Sequence, residues 1–146
     1  MNTNIIKKSI FEVLKIFLSS TICSLLFYAL ISKEAALTEP FICFFLNTAA
    51  LLLFLFLVYR GWARVYDNSN NAFEYFVPTV TSFVVYVLTS VALYSVRFFL
   101  YMWIFLPTRF LEPQLTSALD PLSIWVTYAL MAVLLFATPI LYAHRR

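Results

Sequence analysis

The amino-acid sequence predicts an all-α fold: an integral membrane four-helix bundle with short loops and both termini in the cytoplasm. Three observations predict it. Of 146 residues, 63% are hydrophobic and 12% charged, roughly half the charged fraction of a soluble domain, and the mean hydropathy is +0.89. Four apolar runs, at about 13–32, 41–59, 77–106 and 122–142, take up most of a single transmembrane domain covering 1–146. Each is long enough for a hydrocarbon core of about 30 Å. The basic residues then set the orientation. Four crossings put the amino terminus, the 60–75 connection and the carboxyl terminus on one side, which carries Lys7, Lys8, Lys15, Arg60, Arg64, Arg145 and Arg146. The other side carries only Lys33 and Arg109, so the richer side is expected to be cytoplasmic. The Phe, Ile, Asn and Lys near the start point to a bacterial inner membrane.

The first helix follows Lys7 and Lys8, and Glu12 with Lys8 and Lys15 at helical spacing reads as a surface ion pair. The charged Lys33-Glu34 pair beyond its apolar core favours a retained anchor over a cleaved leader. Ser20, Ser24, Tyr28 and Ser32 recur every four residues, a face suited to contact with another helix. Pro40 opens the second helix, because its missing N–H would have no partner in a first turn. Asn47 is the one strongly polar residue of that run and needs a partner on a neighbouring helix, since an unpaired amide in hydrocarbon is costly.

Residues 60–75 form the most hydrophilic connection, with Asp67-Asn68-Ser69-Asn70-Asn71 as a turn whose side chains satisfy their own backbone. Trp62 and Tyr66 on its approach suit a membrane interface. The longest apolar run is Phe76–Leu106, read as a helix opening at Pro78. Its polar residues Thr79, Ser82, Tyr86, Ser90, Tyr94, Arg97 and Tyr101 follow steps of three or four and share a face. Lipid offers no hydrogen-bond partner, so that face should meet other helices or a wet cavity. Arg97, the only charged side chain deep inside an apolar run, either snorkels to the headgroups or serves an anion pocket. Three prolines break 107–121, and Asp120-Pro121 starts a fourth helix reaching about Tyr142, with Thr138-Pro139 near its far end. Arg97, Asn47, Tyr28 and Thr127 then fall at similar depth, with Tyr94 and Tyr101 on the same helix as Arg97. The expectation is a polar cluster in the outer leaflet with Glu39 or Asp120 as counter-charge.

For chemistry the sequence offers little. The phosphate-binding, zinc, nucleophile-elbow and dinucleotide motifs do not occur. The single histidine, His144, sits in a basic tail, and Cys23 and Cys43 lie in apolar runs as packing residues. No catalytic residue, metal or cofactor is expected, and the net charge of +3 belongs to membrane orientation rather than to nucleic acid. The function that remains is helix–helix contact: an accessory, immunity-type or regulatory subunit, partnered in the bilayer by another membrane protein or by its own copies. A small four-helix transporter is an alternative. It requires a carboxylate inside the bundle, and Glu12 is the only acid near an apolar helix.

A second alternative comes from Arg64-Val65-Tyr66 followed by Asn71 and Glu74-Tyr75-Phe76. This stretch resembles the arginine, asparagine and glutamate motif of the membrane-associated eicosanoid and glutathione metabolism proteins, four-span proteins that bind glutathione between the subunits of a trimer. The resemblance implies Arg64, Asn71 and Glu74 as contacts of a glutathione cofactor, with Arg97 and Tyr101 from the next helix. It covers about a dozen residues. Asp67 stands where a second basic residue is common in that family, and the family's usual glycines are missing.

Overall fold

A computed structural model describes residues 3–31, 40–96 and 120–145. Among the described residues are four helices: α1 Thr3–Ile31, α2 Pro40–Asp67, α3 Ala72–Val96 and α4 Asp120–Ala143. The last three contain stretches long and apolar enough to cross a membrane, Thr48–Asp67, Ala72–Ala92 and Trp125–Ala143. Leu52, Phe56, Leu88, Val133 and Phe136 point outward and are exposed, a surface that suits lipid better than water.

Helix starts at Pro40 and Asp120 fall where proline and capping acid place them. Two other boundaries differ from expectation. The second helix continues past Tyr59 to Asp67, because arginines lower hydropathy without lowering helix propensity. The connection therefore shrinks from 60–75 to 68–71. It is closed by the Asn68 N–H on the Arg64 carbonyl at 3.1 Å and the Ser69 N–H on the Tyr66 carbonyl at 3.1 Å. The third helix begins at Ala72, not at Pro78, which lies buried inside it. Pro78 removes one helical bond there, the one its N–H would have given to the Glu74 carbonyl. Glu74 also places a negative charge near the helix start, where the dipole favours it.

α1 packs on α2 and α3, and α2 packs on α4, with lighter contacts between α2 and α3 and between α3 and α4. Ile16, Cys23, Phe54, Val58, Trp62, Tyr86, Met131 and Leu135 form the buried core. The polar face expected on the third helix turns inward: Thr79, Ser82, Tyr86 and Ser90 are all buried. Tyr86 meets Ser20 of α1 at 3.4 Å, Ser82 accepts the Trp62 indole N–H of α2 at 3.4 Å, and Ser90 accepts the Tyr128 hydroxyl of α4. Trp62 is wholly buried among the helices. It continues the buried face of α2 at helical spacing from Phe54 and Val58. At one end of the molecule, Lys8 of α1 donates to the Asn68 carbonyl at 3.4 Å. There too the Tyr66 ring lies 5.3 Å from Tyr75 and 6.1 Å from Tyr142. The start of α1, the 68–71 turn and the end of α4 thus lie together.

Candidate functional site: the Glu12 groove and the α3–α4 contact

Glu12 is not a surface residue. It is 3% exposed, because α1 buries Ile5, Glu12, Ile16, Ser20 and Cys23, and those positions share one helical face. The carboxylate lies over Gly61 of α2, where a Cβ would stand 3.7 Å from Glu12 Oε2. Lys15 Nζ reaches Oε1 at 2.7 Å and lies 4.6 Å from the Phe11 ring centroid. A buried carboxylate left alone would be strongly unfavourable, and Lys15 offsets that within one helix. Lys8, expected beside Glu12, pairs instead with Glu74 of α3 at 3.4 Å. Around Glu12 runs a groove of about 320 Å³ between α1 and α2, whose walls include Ile22, Leu57, Arg60 and Arg64. Its lining holds one paired acid and two exposed arginines.

A second polar contact joins α3 to α4. Tyr75 donates its hydroxyl proton to the Leu135 carbonyl at 2.9 Å. That carbonyl would ordinarily accept the N–H of residue 139, four positions on, but residue 139 is proline and lies inside α4. Tyr75 therefore supplies the donor that Pro139 lacks. A freed backbone carbonyl in an apolar setting demands such a partner. Tyr75 also helps line a recess of about 540 Å³ with Tyr66, Asn71 and Tyr142.

The residues anticipated from sequence fall in several places. Arg97 and Tyr101 lie outside the described residues, as do Glu39 and the 107–119 stretch. Tyr28, Asn47 and Tyr94 belong to α1, α2 and α3, but their side chains lie outside the described part, and so does that of Asp120. Thr127 is half-buried on α4. Of the three residues tied to glutathione, Arg64 lines the α1–α2 groove and Asn71 the tyrosine recess. Glu74 holds Lys8 at 3.4 Å and accepts the Asn70 N–H at 3.5 Å. The three thus face different surroundings. Sequence reasoning passed over Gly61 and Tyr75. The signal for Tyr75 was Pro139, which advertises an orphaned carbonyl one turn earlier. Among the described residues no three of His, Cys, Asp and Glu come together as metal ligands. No protein-family model, no curated protein and no solved structure matches this chain at a significant level.

Proposed function

We propose that this chain is a multi-pass protein of a bacterial inner membrane, with both termini cytoplasmic, acting through helix contacts as an accessory, immunity-type or regulatory subunit. The observation that carries this reading is where its polar side chains go. Trp62, Ser82, Tyr86, Ser20, Tyr128 and Ser90 bond from helix to helix inside the molecule, while large apolar side chains such as Leu52, Phe56, Leu88, Val133 and Phe136 are exposed along the helices. Interhelical hydrogen bonds of this kind hold a packing together in lipid. The outer faces of α2 and α4 are left to lipid or to the helices of a partner. Size measurement on the chain extracted in mild detergent tests the reading. The expected result is one complex of fixed mass above the 16.9 kDa protomer; a monodisperse monomer from native membranes overturns it.

Buried Glu12 favours a second reading, a small cation–proton exchanger, since such exchange needs a carboxylate inside the helices. Proteoliposomes carrying a pH dye separate the two. Exchange predicts cation-driven proton flux that Glu12→Gln abolishes, whereas a contact subunit shows no flux in either form.

A further inference from the structure

We propose that the groove between α1 and α2 binds one anionic phospholipid, its phosphate held by Arg60, Arg64 and Lys15 and an acyl chain lying along Ile22 and Leu57. The inference rests on the membrane reading above and adds a ligand to it. The groove is polarised along its length. Glu12 and Lys15 of α1 face the stretch of α2 that holds Arg60, Gly61 and Arg64, whereas the walls beyond are Ile16, Leu18, Ile22, Leu57 and Val58. Charge thus gathers at one end and hydrocarbon at the other, as in a lipid. Arg60 and Arg64 stand one helical turn apart, roughly 6 Å, and both are exposed. Neither forms an ion pair with a described carboxylate. The one acid in the lining, Glu12, is already held by Lys15 at 2.7 Å, so the charge left over is positive. A phosphodiester presents two oxygens that suit the planar donor forks of arginine. The arginines also fall in the last two turns of the apolar segment Thr48–Asp67, where a spanning helix meets headgroups. Basic pockets between helices on a cytoplasmic face recognise anionic headgroups in this way. Free phosphate shares the headgroup chemistry but makes no use of the apolar walls.

The test uses the full chain in neutral detergent, with phosphatidylglycerol, phosphatidylcholine, glycerol 3-phosphate and inorganic phosphate as probes. Native mass spectrometry counts retained lipid, and thermal unfolding reads stabilisation. One phosphatidylglycerol per chain is expected, preferred over phosphatidylcholine by roughly tenfold or more, since each basic residue near the surface adds about fivefold. The Arg60→Gln, Arg64→Gln double variant should fall to the phosphatidylcholine level, and Lys7→Gln with Arg145→Gln should not. Ser19→Trp, which crowds the groove with both arginines intact, should also expel the lipid. Equal retention of the two lipids overturns the proposal. So does an equal loss in the Lys7, Arg145 control, which would mark diffuse charge, or full stabilisation by either water-soluble phosphate. Carbonate extraction of the same membranes reads insertion separately: a carbonate-resistant chain indifferent to headgroup charge removes the lipid site and leaves the membrane reading standing.

Discussion

Gly61 is the single glycine of the chain, yet its backbone does not demand glycine. A Cβ there would meet Glu12 Oε2 at 3.7 Å, an ordinary contact, and alanine is favoured over glycine inside a helix by about 1 kcal/mol. Gly61→Ala is therefore expected to be neutral or slightly stabilising in reversible SDS unfolding. Gly61→Leu must push the carboxylate off its lysine and should lose roughly 1–3 kcal/mol through overpacking. Its neighbour Trp62 responds differently, being wholly buried with its indole N–H on Ser82 at 3.4 Å. Trp62→Phe removes one long interhelical hydrogen bond, worth about 0.6 kcal/mol. Trp62→Ala also opens a cavity and should cost about 3 kcal/mol or more. Equal losses in the two variants would mean that the hydrogen bond, not the ring, holds α2 to α3.

Between elements, the contact of Tyr75 with Leu135 depends on a proline four residues further along α4. Tyr75→Phe leaves the Leu135 carbonyl without its usual donor in an apolar setting, at a cost of about 1–3 kcal/mol. In a Pro139→Ala background the backbone regains that N–H, so the same Tyr75→Phe change should cost much less. A double-mutant cycle read by unfolding gives this coupling directly, and additive losses would disprove the substitution of one donor for the other. The same pair shows which parts of the fold the sequence makes legible. The four described helices, the starts at Pro40 and Asp120, and the inward polar face of Thr79, Ser82, Tyr86 and Ser90 follow from local chemistry: capping, first-turn proline and helical spacing. The continuation of α2 through Arg60 and Arg64 was hidden because hydropathy marks where a chain leaves oil, not where a helix ends. The burial of Glu12 was hidden for another reason. Lys8 and Lys15 both lie at helical spacing from it, and only the approach of Gly61 and Glu74 from other helices decides which lysine it keeps. Of the anticipated cluster around Arg97 only the Thr127 side chain belongs to the described part, whereas the groove that the structure does describe is made by two helices meeting.

At the scale of the whole molecule, charge and packing bear on the same question of orientation. Lys8 bonds the 68–71 turn, and Tyr66 beside that turn meets Tyr142 edge-on near the end of α4, so Lys7, Lys8, Arg64 and Arg145 belong to one end of the molecule. A membrane helix bundle with its basic residues so gathered is expected to keep that end in the cytoplasm. Cysteines placed singly at Lys7 and His144, in a background with Cys23 and Cys43 replaced by alanine, should both resist an impermeant maleimide in intact cells. Both should react once the cells are opened. Labelling of one but not the other from outside would require an odd number of crossings, as α2, α3 and α4 would make without α1, and would overturn the four-span reading. Labelling of both from outside would keep the helices and reverse the charge argument, placing the Arg60 and Arg64 groove in the outer leaflet. The two failures are distinguishable in one experiment. Only the pattern protected outside and reactive after opening supports cytoplasmic placement of the groove, the leaflet whose anionic surface potential attracts basic segments.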